Sequence, residues 1–225
     1  MDVSATGSMI NKEELMLKHP FSMMVAGSRR TGKTFFTKKL LEKKSEFMKP
    51  EISFVFWFSP STQNEIFSEL ERKLDDTIKF VKGLPSEDIL DFIHTHAGSK
   101  LLIFDDLMEE ASKRADVKNL FTRGRHENVS VIFLSQNTFH QGKHFREMSL
   151  NSDYFVLFKN VRDATTIKYF ARQTGMGDFL IKAYQDATKD VYSHFFMDMR
   201  SDTDDKLRFR SKIFEFYPVL YIKNV

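Results

Sequence analysis

The sequence has no cysteine among its 225 residues. Disulfide bonds and cysteine–zinc sites are therefore excluded, and the composition fits a reducing compartment. Also absent is any apolar run close to the ~20 residues that a membrane-spanning helix needs. The longest apolar runs, around Val55–Phe58 and Val131–Leu134, have only the length of β-strands. We therefore expect a soluble, globular protein with no membrane partner.

A strong charge of one sign is missing as well, because 34 lysines and arginines face 31 aspartates and glutamates. The formal net charge of +3 permits a nucleic-acid partner but does not indicate one. The first residues, Met1 to Ala5, lack the basic start and the apolar stretch of a signal peptide, which predicts that the protein is not secreted. The chain length suits one α/β domain with a full core.

The most informative stretch is residues 27–34, GSRRTGKT, which match the phosphate-binding P-loop pattern. A strand-like apolar run, Phe21–Ala26, precedes it, and Phe35–Lys44 follows it with helical spacing. In such a loop the backbone N–H groups and the helix dipole bind phosphate oxygens, Lys33 reaches the β- and γ-phosphates, and the Thr34 hydroxyl binds Mg²⁺. We therefore predict a nucleotide site formed by Gly27, Ser28, Arg29, Arg30, Thr31, Gly32, Lys33, Thr34 and Phe35.

Strand-like and helix-like segments alternate along the rest of the chain. The predicted strands are Ile52–Phe58, Thr77–Val81, Leu101–Phe104, Val129–Leu134, Tyr154–Phe158, Ser193–Met199 and Leu207–Ile213. The predicted helices are Asn11–Lys18, Gln63–Leu74, one from Pro85 to just before Gly98, Asp116–Phe121, Asp163–Arg172 and Phe179–Ala187. This order predicts an α/β fold of the RecA-like P-loop NTPase type (the ASCE group), with a mostly parallel central sheet, helices on both faces and extra C-terminal strands.

Three polar side chains follow strands whose carboxyl ends meet the P-loop in such a sheet. Asp105 and Asp106 follow the Leu101 strand, as in a Walker B motif. Asp105 is predicted to hold Mg²⁺ and Asp106 to orient and polarise the attacking water. Gln136 follows the Val129 strand, where it would sense the γ-phosphate or the water. A solvated turn for the two aspartates, and a satisfied loop amide for Gln136, are the structural alternatives.

Two arginines, Arg123 and Arg125, precede the Val129 strand and should lie at the sheet edge opposite the nucleotide. A seven-residue strand is roughly 23 Å long, which an arginine side chain cannot span. If either is catalytic, it should serve the nucleotide of a neighbouring subunit as an arginine finger. Ordinary surface arginines are the alternative. Arg29 and Arg30 could instead reach the phosphates of their own subunit, or could simply be exposed.

The segment Asn137–Arg146 interleaves aromatic and basic side chains, a composition that suits the backbone of a nucleic acid in a channel. A polar loop anchored by two phenylalanines is the alternative interpretation.

Beyond these motifs, the chain resembles the poxvirus-type genome-packaging ATPases of the FtsK/HerA superfamily, which also occur in Polinton/Maverick elements, adintoviruses and virophages. The most specific resemblance is the run Leu120–His126, which contains Gly-Arg-His and leads through Val129 to Gln136-Asn137. Further matching segments are Lys18–Phe21 before the P-loop, Leu101–Asp106, Leu150–Asn160, Arg162–Ala164 and Asp198–Phe214. The match divides the chain into an N-terminal extension (1–17, of which 1–8 resemble an expression-tag remnant), an ATPase domain (18–214) and a C-terminal tail (215–225).

The resemblance implies an ATP- and Mg²⁺-dependent motor that moves double-stranded DNA into a preformed capsid, as a homo-oligomeric ring of five or six subunits bound to capsid vertex proteins. It implies a location in the infected host cell, in the nucleus or a cytoplasmic virus factory, and association with the virion. Residue by residue, it supports Lys33 and Thr34, Asp105 and Asp106, Gln136, and Arg125 as the trans arginine finger. Family members usually have small residues at positions 29 and 30, which leaves the source of the catalytic arginine open.

Three other functions remain compatible with the motifs. A cellular-type FtsK/HerA translocase or helicase would use the same chemistry in another context. A non-hydrolysing, ATP-gated capsid and DNA assembly factor would need Lys33 and Thr34 but neither Asp106 nor Arg125. A small-molecule kinase would need an acceptor pocket and a lid, and would have no use for Arg125.

Overall fold

The computed structural model of the protein describes residues 11–136, 150–161 and 165–223. Within these ranges the chain forms a nine-stranded sheet and a separate two-stranded sheet. The small sheet pairs β1 (Leu17–Lys18) with β3 (Met48–Lys49) in parallel. The strands of the large sheet are β2 (Ser22–Ala26), β4 (Phe54–Ser59), β5 (Ile78–Lys82), β6 (Lys100–Asp105), β7 (Val129–Ser135), β8 (Tyr154–Phe158), β9 (His194–Asp198), β10 (Phe209–Ser211) and β11 (Val219–Leu220).

The order of the large sheet is β11-β10-β9-β8-β2-β7-β6-β4-β5. The six strands from β8 to β5 are parallel, and β9, β10 and β11 continue the sheet by antiparallel pairing. The strand order therefore places β7 between β2, which leads into the P-loop, and β6, which ends at Asp105. The predicted RecA-like α/β fold with extra C-terminal strands is confirmed.

Helices cover both faces of the sheet. Successive residues of the buried strands point to opposite faces, and each face contributes to its own apolar cluster together with residues of the helices. In β2, Met24 and Ala26 belong to one cluster, whereas Met23 and Val25 belong to the other. The helices are α1 (Lys33–Glu42), α2 (Lys44–Phe47), α3 (Glu65–Leu74), α4 (Glu87–Thr95), α5 (Met108–Lys113), α6 (Ala115–Arg123), α7 (Thr165–Gln173) and α8 (Gly177–Ala187). None of the described helices has the length and apolarity needed to cross a membrane.

The structure differs from the sequence-based elements at several places, among them the short elements β3 and α5, which were not predicted. The predicted helix Asn11–Lys18 is a 3₁₀ turn, Lys12–Leu15, followed by β1, whose backbone pairs with β3. Gly177 begins α8 instead of interrupting the chain before it. Strand β11 was not predicted, and it pairs Val219 and Leu220 with β10 while Tyr221 is buried behind it. At β1 and β11 the pairing with another strand decides the local conformation.

The ring of Phe36 packs the P-loop helix α1 against the sheet. This side chain is 3% exposed and meets the rings of Phe158 and His194 edge-on, at centroid distances of 6.2 and 4.8 Å. Its neighbour Phe35 is 57% exposed. Of these two consecutive phenylalanines at the start of α1, Phe36 packs on the sheet and Phe35 faces solvent.

We expect Phe36→Ala to lower the free energy of unfolding by about 3–5 kcal/mol, because it removes a buried ring and leaves a cavity. Phe35→Ala, the matched control, should change it by less than about 1 kcal/mol. Urea denaturation of both variants measures the difference. Equal losses would show that α1 is not held in place by Phe36.

Candidate nucleotide-binding site

The strand order brings the predicted site residues to one edge of the sheet. The P-loop follows β2, Gln136 follows β7, and Asp105 ends β6 with Asp106 directly after it. The backbone N–H of Gly27 donates to Ser135 O at 3.1 Å, and that of Asp106 donates to Leu134 O at 3.1 Å. These two bonds tie the start of the P-loop and the acidic pair to the end of β7. The three motifs are thus held together by backbone hydrogen bonds.

Two glycines allow the tight turn of the P-loop. A Cβ atom on Gly27 would lie 2.6 Å from Phe158 Cβ, closer than any side chain allows. Gly32 has a φ of 104° and is the N-cap of α1. The Thr31 hydroxyl donates to Ser28 O at 2.9 Å and closes the turn between them. Such a loop exposes consecutive N–H groups at a helix N-terminus, which is the geometry that binds phosphate.

The side chain of Lys33 is buried and lies across this loop. Its ammonium donates to Gly27 O at 2.7 Å and to Ser28 O at 3.0 Å. Burial lowers the pKa of Lys33, against the attraction of Asp106 and Asp105, which raises it. A phosphate in the loop would replace carbonyl oxygens by negatively charged oxygens as the partners of Lys33, and would therefore favour its charged form.

The carboxyl of Asp105 is in an environment that disfavours its charge. Burial, followed by repulsion from Asp106, raises the pKa of Asp105 to about 6, although Lys33 acts to lower it. A divalent cation would reverse this balance, and oxygen atoms are the ligands that Mg²⁺ prefers. The Thr34 hydroxyl, on the second residue of α1, is the other candidate ligand. The residues present therefore fit a magnesium ion.

Gln136 links the acidic pair to the P-loop through its amide. Its Nε2 donates to Asp106 Oδ2 at 2.5 Å, and its Oε1 accepts from Arg29 Nε at 2.9 Å. Asp106 has a φ of 53°, a left-handed conformation that aspartate tolerates better than most residues. Both Arg29 and Arg30 are exposed, but Arg29 belongs to the site through its contact with Gln136. The contact of Arg29 with Gln136 was not predicted, because nothing in the P-loop pattern indicates it.

The predicted finger arginines lie at the opposite edge of the sheet. Arg123 is the last residue of α6, and Arg125 is in the 3₁₀ turn Gly124–Glu127 that leads into the amino end of β7. The guanidinium of Arg125 is paired with Asp153 Oδ1, and its side chain is still 58% exposed. Asp153 Oδ2 accepts from the backbone N–H of Ser22 at 2.8 Å. Arg125 is thus anchored at the start of β2 and cannot reach the P-loop at its end.

Two further residues support the site without having been predicted from their chemistry. Asn160, two residues after β8, accepts a hydrogen bond from Ser28 Oγ at 3.1 Å. Asp153, just before β8, provides the partner of Arg125. Only the strand order β8-β2-β7 shows these contacts. The segment Asn137–Arg146, which is predicted to contact nucleic acid, lies outside the described residues.

The raised pKa of Asp105 predicts a pH-dependent stability. The carboxyl of Asp105 binds its proton more tightly in the folded protein than in the unfolded chain. The protonated carboxyl costs the folded state nothing below about pH 4, and folding becomes less favourable as the pH rises through about 6 and Asp105 ionises. Asp105→Asn has no proton to lose. We expect this variant to gain up to about 3 kcal/mol over the wild type as the pH rises from about 4 to about 7, without nucleotide or Mg²⁺.

Urea denaturation at several pH values measures this gain. Glu71→Gln, which replaces an exposed carboxyl on α3, is the matched control and should show no such trend. A difference between Asp105→Asn and the wild type that does not vary with pH would contradict the assignment.

Comparisons with known proteins agree with this fold. The genome packaging NTPase B204 of Sulfolobus turreted icosahedral virus 2, in complex with AMP, is 12% identical with a TM-score of 0.57, over 92% of this chain and 98% of that chain. Its complex with ATP-gammaS is 14% identical with a TM-score of 0.56, over 81% of this chain and 94% of that chain. At these identities the similarity concerns the fold. A comparison with curated proteins gives no match.

A family model described as poxvirus A32 protein matches residues 9–165. The match contains the P-loop, Asp105, Asp106, Gln136 and Arg125. The resemblance to poxvirus-type genome-packaging ATPases is thereby confirmed: this chain belongs to the poxvirus A32 protein family and has the α/β fold of a P-loop NTPase.

Proposed function

We propose that this protein is an ATP-hydrolysing motor that moves double-stranded viral DNA into a preformed capsid. The observation that carries the proposal is the convergence of Lys33, Asp105, Asp106 and Gln136 on the P-loop edge of the sheet. An assembly factor that only binds ATP needs the loop and its lysine. It has no need for a second, exposed carboxylate that is held by a glutamine next to them.

In this mechanism the loop N–H groups and Lys33 bind the phosphates of ATP. Thr34 and Asp105 would hold Mg²⁺, which supplies positive charge to the β- and γ-phosphate oxygens. Asp106 accepts a hydrogen bond from the water that attacks the γ-phosphate, and its exposed position gives that water access. Gln136 contacts both Asp106 and Arg29, so it can couple the position of the water to the conformation of the P-loop.

Two arginines could stabilise the charge that develops on the transferred phosphoryl group. Arg29 is already near the site and could act within its own subunit. Arg125 lies at the far edge, so it could act only on the ATP of a neighbouring subunit, in a ring of five or six. More than half of its side chain is exposed although it is paired with Asp153, so a neighbour could reach the guanidinium.

The proposed DNA and capsid partners rest on family membership and on the similarity to B204, a viral genome packaging NTPase. A packaging role would place the protein in the infected cell, in the nucleus or a virus factory, and on the capsid vertex during assembly. Arg123 and the segment Asn137–Arg146 are candidate contacts with a partner. A cellular-type translocase would share the chemistry but not the capsid vertex.

The first test is steady-state ATP hydrolysis with and without long double-stranded DNA at low salt. We expect DNA to stimulate turnover, and Asp106→Asn to reduce it by a factor on the order of 10²–10⁴, because the water loses its base. Binding of ATP should remain, since Asp106 is exposed beside the loop. ATP binding with no turnover in any condition would favour the ATP-gated assembly factor.

The second test concerns Arg125. Lys33→Ala and Arg125→Ala should each be inactive alone, whereas mixed rings should regain hydrolysis where an intact Lys33 site faces an intact Arg125. The loss in Arg125→Ala should be about 10³-fold or more if it is an arginine finger. An active Arg125→Ala protein, or inactive mixtures of the two, would contradict the trans assignment.

Asp153→Asn separates this role from a structural one. The substitution removes the charge that pairs with Arg125 but keeps an oxygen that can accept from Ser22. If Arg125 acts in trans, Asp153→Asn should retain hydrolysis. If Arg125 serves only to hold Asp153, both variants should lose stability and activity together.

A further inference from the structure

An exposed tyrosine lies beside the P-loop, in the turn between α8 and β9. The antiparallel pairing of β9 with β8 sets His194 opposite Phe158. The residues just before His194 therefore lie at the edge where β8 ends, which is also the P-loop edge. Among them Tyr192 is 66% exposed.

The ring of Tyr192 flanks the loop at Gly32. A Cβ atom built on Gly32 would lie 3.4 Å from Tyr192 Cδ1 and 3.6 Å from its Cβ, which is ordinary van der Waals contact. Gly32 is the residue before Lys33, at the start of α1. The tyrosine thus stands directly beside the point where a phosphate chain would enter the loop.

The backbone holds Tyr192 in place at an energetic cost. Its φ is 64°, a left-handed conformation that favours glycine and asparagine over an aromatic residue. The turn is closed by Ser193, whose N–H and hydroxyl donate to Asp190 O at 3.3 and 2.7 Å. Nothing in this turn requires a large side chain at position 192, because most of the ring is in solvent.

The turn is also connected to the helix that carries Lys33. The half-buried ring of His194 packs on Phe36 and Phe158, at ring centroid distances of 4.8 and 5.5 Å. Burial lowers the pKa of His194 to about 4, so the ring is neutral, and this packed ring is only two residues after Tyr192 in the chain. The position of Tyr192 relative to the loop is therefore fixed by packed groups.

We propose that Tyr192 is the platform on which the nucleobase stacks when a nucleotide occupies the P-loop. The inference rests on the proposed nucleotide binding and adds the contact for the base. An aromatic face that is rigidly held, exposed and adjacent to the phosphate loop suits a planar heterocycle. Stacking uses the face of the base and makes no hydrogen bonds to its edge. Purine nucleotides should therefore bind with similar affinities, and more tightly than pyrimidine nucleotides.

Isothermal titration calorimetry with Mg²⁺ and three probes (ATP, ADP and inorganic tripolyphosphate) tests the platform. We expect Tyr192→Ala to lower the affinity for ATP and for ADP by roughly ten-fold or more, the usual effect of losing one base–aromatic stack. Tripolyphosphate has no base, so its affinity should not change. Tyr192→Phe should bind all three probes as the wild type does. Tyr217→Ala, at a 79% exposed tyrosine whose ring packs on Phe216, is the matched control.

Tyr192→Gly distinguishes stacking from a structural role. Glycine relieves the left-handed backbone, so this variant should be as stable as the wild type or more so, and should still lose affinity for ATP. Unchanged ATP affinity in Tyr192→Ala would overturn the platform. An equal loss for ATP and tripolyphosphate would overturn it too, since the damage would then be to the phosphate loop. If the wild type binds neither ATP nor tripolyphosphate, the proposed nucleotide function fails instead.

Discussion

The packing of Phe36 against the end of the sheet is the contact on which the rest of the site depends. Its ring is held between Phe158 of β8 and His194 of β9. Phe158 also occupies the space that a side chain at Gly27 would need, and His194 is two residues after Tyr192 in the chain. One apolar contact thus sets the position of the P-loop helix, the start of the loop and the exposed tyrosine. Interiors packed at this density transmit small shifts, so a change at Phe36 should be felt at all three.

Carboxylates at the two edges of the sheet are in opposite electrostatic environments. At the amino edge of the parallel strands, the fully buried Asp198 is paired with Arg200 at 2.8 Å and with Arg210 at 3.4 Å. At the carboxyl edge, Asp105 keeps a raised pKa although Lys33 is near. The first arrangement satisfies its charges within the fold. The second leaves a carboxylate whose ionisation becomes favourable only when a cation arrives, a pattern typical of functional sites.

Much of the fold could be predicted from the sequence because its signals are local. The P-loop pattern, the apolar strands and the acids that end β6 are each contained in a run of a few residues. The order of strands along a parallel sheet then brings Asp105, Asp106 and Gln136 to the P-loop edge. The predictions failed where local preference was weak. Asn11–Lys18 has helical spacing but forms a 3₁₀ turn and a strand, because β3 offers a backbone partner. Strand β11 has only two residues and is recognisable only beside β10.

Residue type and spacing alone specify the class of fold, the phosphate loop and the kinds of side chain around it. These features depend on residue type and spacing within one element, and the chain carries them in any context. Only the tertiary structure decided which of the arginines enters the site, what holds Arg125, and which aromatic side chain faces the loop. Arg29 and Gln136 are 107 residues apart and Arg125 and Asp153 are 28 apart. Such pairs form because parallel strands of one sheet begin at one level and end at another, and the register of the whole sheet sets both levels.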